Sequence, residues 1–125
     1  MNGVIFHKNI LKPLDNEGFL PMHTDGRVGV NIREIFHDAG ENGSRLALVK
    51  YDQAALVPEH IHTGYEVIFV IEGVLSDNYG NYTRGELIVY RPDSAHSLHT
   101  KTGCIFLVLW DKPVERVGES AGEKK

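Results

Sequence analysis

The segment His60-Ile61-His62-Thr63-Gly64-Tyr65-Glu66 places three metal-ligand side chains within seven residues. His60 and His62 are two apart, so on an extended strand both rings point to one face, and Glu66 keeps that parity beyond a bend marked by Gly64. Two imidazoles and a carboxylate on one concave face suit a divalent first-row ion such as Fe(II), Mn, Ni or Zn. His96 is the candidate fourth ligand. A chain with seven histidines places some of them two apart by chance, and an isolated HxH mostly decorates a surface. Here the pair follows Pro58 and leads into the apolar run Val67 to Ile71, which sets it at the mouth of a buried strand. Polar side chains that enter a core need partners to offset their desolvation, and a metal ion is one such partner.

Short strands must hold these residues. Val28, Val30 and Ile32 alternate as in a strand with one buried face, and the turn formers Asp38 to Gly43 end that stretch before a second strand, Leu46 to Tyr51. After the His60 region, Asn78-Tyr79-Gly80-Asn81 reads as a hairpin turn, because Asn and Gly tolerate positive φ. Glu86 to Tyr90 returns as a strand, Arg91 to His96 forms a turn that presents His96, and Ile105 to Trp110 is the last apolar strand. No window holds apolar residues at helical spacing without an interrupting Gly or Pro, so an all-β domain is expected. Hairpins with inward histidines favour a barrel with a site in its mouth. Residues 1–24 read as an extended arm able to join a partner subunit's sheet, residues 25–112 as the single barrel domain, and residues 113–125 as a flexible tail.

The whole-chain balance narrows the function classes. At 125 residues with 42% hydrophobic content the chain builds one core, and its net charge of −4 with scattered Lys and Arg argues against nucleic-acid binding. No stretch has the pattern of a secretory leader or a membrane span. The single Cys104 fits a reducing compartment, and a cytoplasmic protein is expected. Val67, Phe69 and Ile71 lie on the face opposite Glu66 and Ile68, where they would present apolar surface to water, so a homodimer is expected.

With these residues in view, the sequence resembles the cupin family, whose first motif is G-x5-HxH-x3,4-E-x6-G and whose second is G-x5-P-x-G-x2-H-x3-N. His60, His62, Glu66 and Gly73 fall at the first motif's spacing, with Ala54 in place of its opening glycine. In the second, Gly85 and His96 fit, while Arg91 replaces the proline, Asp93 the inner glycine and Thr100 the final asparagine. Asp tolerates left-handed geometry, so Asp93 can keep the turn at modest cost. A narrower likeness is to ChrR-type cupins, which include an anti-sigma factor's zinc-binding barrel and are related to small diketone and aryl-ketone dioxygenases. Its phrases reappear as His60 to Glu66, Glu72 to Asp77, Pro92 to His96 and Gly103-Cys104. The resemblance covers roughly residues 27–110 and implies a double-stranded β-helix, or jelly-roll, that binds metal. The expectation is of the sensory barrel alone, without the anti-sigma factor's helical domain.

The resulting ligand set is His60, His62, Glu66 and His96 around one divalent ion per chain. An octahedral ion would keep two adjacent positions open for a small oxygen-bearing ligand, whereas tetrahedral zinc would close the shell. The sequence leaves open both a dioxygenase-like oxidoreductase and a zinc-binding sensor without catalysis. Tyr90 reads as packed and Arg91 as a surface residue; Tyr51, Phe106 and Trp110 read as core or interface aromatics. Cys104 reads as a small buried hydrophobe. His99 has the wrong parity to join His96, and His7, His23 and His37 read as exposed.

Overall fold

Two long strands that change partners midway organise the fold. The computed structural model describes residues 2–38, 43–112 and 114–116. Its strands are β1 (Leu20–Met22), β2 (Val28–His37), β3 (Arg45–His62), β4 (Glu66–Ser76), β5 (Asn81–Thr83), β6 (Leu87–Tyr90), β7 (Ala95–His99), β8 (Cys104–Trp110) and β9 (Val114–Arg116). Among the described residues the only helical piece is the 3-10 turn Thr24–Gly26, as the missing helical periodicity predicts. The first part of β3 lies between β2 and β8, and beyond Ala54 the same strand pairs with β7. Likewise β4 begins between β6 and β8 and ends against β5 and β7. The circuit β3–β8–β4–β7 therefore closes, and the expected all-β barrel is formed.

Alternation decides what enters the barrel. Along β4, Glu66, Ile68 and Val70 are buried while Val67 and Phe69 are only half-buried. Ile68 and Val70 join Val49, Tyr51, Leu98 and Phe106 in the main core cluster, each contributing roughly 1.5–3 kcal/mol by leaving water. At Gly73 the chain has φ 77° and a Cβ would sit 2.2 Å from the Gly103 carbonyl oxygen, so no larger residue fits where β4 crosses the start of β8.

The structure departs from the sequence reading in four places. β1 of the N-terminal arm, expected to be able to join a partner subunit's sheet, pairs with β2 of its own chain. Phe6, Ile10, Leu14 and Phe19 pack over a second cluster that includes Leu48, Phe69, Ile71 and Ile105. Much of the face expected to demand a second subunit is thus covered from within. The hairpin at 77–80 forms, but no described residue from 78 to 81 has positive φ. Asp77 Oδ1 accepts the amides of Tyr79 and Gly80 at 2.7 and 2.9 Å, and this side chain makes the turn. Ala95–His99 is a strand, which makes His96 a strand residue instead of a turn residue. Finally, Val114–Arg116 pairs with His60–His62, so backbone order extends beyond the expected start of the tail. Residues 39–42 of the predicted turn, and 113 and 117–125 of the predicted tail, lie outside the described residues.

Phe19→Ala is expected to lower stability by about 1–2 kcal/mol in urea unfolding, less than for a fully buried aromatic because Phe19 is only partly covered. An unchanged midpoint would show that the arm does not hold this face.

Candidate metal centre

Strand register assembles the site. His60 lies directly opposite His96 in the β3–β7 ladder, and His62 follows with the same parity. The chain then turns through 63–65 with Gly64 against β8's end, where a Cβ would come within 1.9 Å of the Asp111 carboxylate. Glu66 opens β4 from there. His60, His62, Glu66 and His96 are all buried and each brings one ligand atom within 4.8 Å of the others. His96 Nε2 lies 3.1 Å from Nε2 of both His60 and His62. Glu66 Oε1 lies 2.9 Å from His62 Nε2 and 3.2 Å from His96 Nε2. His99 points away from this group, as its parity predicts, and His7, His23 and His37 are exposed.

Hydrogen bonds on the far side of two rings set where their protons are. His60 Nδ1 is 3.1 Å from the Pro58 carbonyl oxygen, which can only accept, so Nδ1 carries the hydrogen and the neutral ring's Nε2 presents a lone pair. His62 Nδ1 is 2.9 Å from Ser94 Oγ. The Ser94 hydroxyl already donates to the Arg91 carbonyl at 2.6 Å, so it must accept from His62, whose Nε2 is then also a lone pair. Two lone pairs and a carboxylate oxygen converge on one buried point. Without a proton or cation between them this arrangement is repulsive, and a divalent ion is the group it fits.

The carboxylate is held from its other side. Glu66 pairs with Tyr90 across β6 and with Trp110 across β8, and Trp110 Nε1 donates to Glu66 Oε2. Oε1 is thereby left toward the histidines without a proper hydrogen bond of its own. Burial acts to raise the Glu66 carboxyl, and only a proton or cation shared with the His62 and His96 nitrogens would hold the group well below the usual carboxylate range. Burial lowers His60 to about 4. The Tyr90 ring stacks edge-on against His96 at 4.2 Å, and its hydroxyl donates to Asp77 Oδ2 at 2.9 Å. Burial, then the Asp77 bond, pushes Tyr90 far above its ordinary value, so it remains a proton donor.

A cavity of about 310 Å³ reaches His60 and Glu66 and is walled by Val57, Leu98, Phe106 and Trp110, a size that suits a small ligand. Tyr51 and Arg27 also line it. Tyr51 and Phe106 are core residues as expected, and together with Trp110 they also line this cavity. Ser94 sits inside the Pro92 to His96 phrase, so a signal for it was present. Arg91 is exposed and contributes its carbonyl alone. Cys104 is buried and pushed up to about 12 by that burial, in keeping with a packing role.

Comparison with known proteins places this geometry. The family model described as the ChrR Cupin-like domain matches residues 8–112. Acetylacetone dioxygenase from Acinetobacter johnsonii superposes with a TM-score of 0.72 at 14% identity, over 82% of this chain and 73% of that one. The polyketide cyclase RemF from Streptomyces resistomycificus gives 0.67 at 20% identity, over 90% and 89%. Rhodobacter sphaeroides ChrR, solved in complex with SigE, gives 0.57 at 23% identity, over 66% of this chain and 44% of that one. Comparison with curated proteins finds no match. At these identities the structural likenesses establish the fold.

Ser94→Ala and Trp110→Phe are each expected to weaken metal binding about 10- to 100-fold in a competition titration, by releasing the His62 tautomer or a Glu66 oxygen. His99→Ala should leave it unchanged, and equal affinities in all of these variants would sink the assignment. Acid should also destabilise the metal-free protein. Because the His60 pKa is lowered from 6.5 to about 4, its contribution is intact above 6.5 and lost as pH falls through that window. A melting temperature constant from pH 7 to 4 would contradict this.

Proposed function

This chain belongs to the ChrR Cupin-like domain family, and from that premise we propose that it binds one divalent metal ion through His60, His62, Glu66 and His96 and acts as a small-molecule oxidoreductase of the dioxygenase type. The observation that carries the reading is the convergence of four buried donors, two with their lone pairs fixed, beside a cavity of about 310 Å³. When bound, the ion supplies Lewis acidity and, as iron, redox chemistry toward a chelating oxygen-bearing ligand such as a β-diketone or hydroxyketone. The protein's own part is to hold three neutral imidazoles, orient Glu66 through Trp110, and keep water out with Val57, Leu98 and Phe106. The fold shared with acetylacetone dioxygenase supports this compound class by analogy only.

The same reading takes the protein as cytoplasmic, with Cys104 a reduced and buried thiol, and as a homodimer. No described helix is long and apolar enough to cross a membrane. One apolar patch open to a second subunit is Leu87 and Val89 of β6, which are 63% and 57% exposed, beside half-buried Val67.

Protein purified without added metal or chelator should contain stoichiometric iron, manganese or nickel. With Fe(II) restored anaerobically, a diketone or hydroxyketone should give a visible band and, on admitting air, consume oxygen only when ligand and metal are both present. His96→Ala should lose the metal and the band together. Stoichiometric zinc with a tetrahedral spectrum after cobalt exchange, and no oxygen consumption, would replace this reading with a zinc-binding sensor that closes its shell with the same four ligands. Light scattering should report a dimer near 28 kDa, about twice the chain's 14.0 kDa.

A further inference from the structure

The cavity beside the metal centre is apolar in its walls but cationic in its charged lining. Arg27, Arg45 and Lys112 line it, against only Asp25 and Glu66, in a chain whose net charge is −4. Glu66 is directed at the histidines, and Arg45 is held by Glu34 at 2.8 Å and lies over the Trp110 ring. Arg27 is the cation of interest because only 14% of its side chain is exposed.

A built feature holds Arg27 there. Asp25 and Gly26 have φ of 58° and 77°, forming the tight turn that precedes it, and a Cβ on Gly26 would lie 3.1 Å from Pro58 Cγ. The turn is thus packed on the residue whose carbonyl receives the His60 hydrogen. Arg27 Nη1 makes contacts with the Thr24 carbonyl at 3.2 Å, Thr24 Oγ1 at 3.4 Å and Asp25 Oδ2 at 3.2 Å. These contacts use a single nitrogen, so the Nε–Nη2 edge that grips carboxylates in a bidentate manner takes no part in them. The Asp25 side chain is 47% exposed, so its attraction for Arg27 is weakened by solvent.

Building on the open-site reading above, we propose that Arg27 is a specificity-determining residue that receives an anionic group of the substrate, making the substrate class an oxygen chelator with a carboxylate remote from its chelating oxygens. The chelating end sits at His60 and Glu66, the ring or chain fills the apolar middle, and the carboxylate meets Arg27. Arg45 and Lys112 raise the local concentration of such an anion.

Kojic acid and comenic acid test this, because both chelate through the same hydroxypyranone oxygens and differ in a remote hydroxymethyl or carboxylate group. Each is titrated into cobalt-loaded protein, read by the visible cobalt spectrum and corrected for its affinity for free cobalt. Wild-type protein should prefer comenic acid by about tenfold or more, the scale of one charge-assisted hydrogen-bonded pair. Arg27→Gln should erase the preference while kojic acid affinity and cobalt content stay unchanged, and Arg27→Lys should retain part of it. Equal binding of the two acids by wild type, or a preference that survives Arg27→Gln, overturns the role of Arg27 alone. Failure of both acids to perturb the cobalt spectrum overturns the open metal site and this inference with it.

Discussion

Two imidazole lone pairs and a carboxylate oxygen aimed at one buried point are the constraint on which the rest of this structure turns. Left alone, such a cluster repels itself and forfeits solvation, so the fold must hold it by force from outside. Three of the four donors are accordingly tied by a hydrogen bond on the side away from the cluster. The Pro58 carbonyl fixes His60, the Arg91–Ser94 turn fixes His62, and Trp110 takes one oxygen of Glu66. Around His96 the device is packing, with the Tyr90 ring against it and Asp77 anchoring the Tyr90 hydroxyl. Asp77 also closes the β4–β5 turn, so a hairpin and a candidate metal ligand depend on one carboxylate.

Strain gathers at the bends that make this possible. Ala54 and Asp93, the two residues that replace glycines of the cupin motifs, have φ of 65° and 67°. The family pattern is thus a backbone requirement that survives the change of residue, at a cost of order 1–3 kcal/mol for each unfavourable geometry. Asp93 carries it more readily, since Asp is among the side chains that tolerate this region. Ala54 has no such help. Its bend is nonetheless where β3 leaves β8 and turns toward β7, which brings His60 opposite His96.

The arm illustrates a different economy. An apolar outer face on a small barrel invites association, and here the chain's own Phe6, Ile10, Leu14 and Phe19 cover much of it. Of that face, Leu87 and Val89 on β6, a strand paired with β4, stay exposed. β3 and β4 each contribute to the cavity, the candidate metal centre and the covered face.

The sequence alone determined the all-β class, the inward parity of His60, His62 and Glu66, and the exclusion of His99, while His96 entered through its spacing in the second cupin motif and was expected on a turn. These are legible because parity on a strand is local, with one residue in two facing the core whatever lies across from it. It also marked Ser94 within the ligand turn. The tertiary structure decided what lies across: Trp110 and Tyr90 beside Glu66, Arg27 and Tyr51 in the cavity, and the arm folded onto its own barrel. Those pairings depend on bulges such as that between Val70 and Glu72 and on where the barrel closes. A one-residue change of register would exchange every cross-strand neighbour while leaving each strand's own pattern of polar and apolar residues intact.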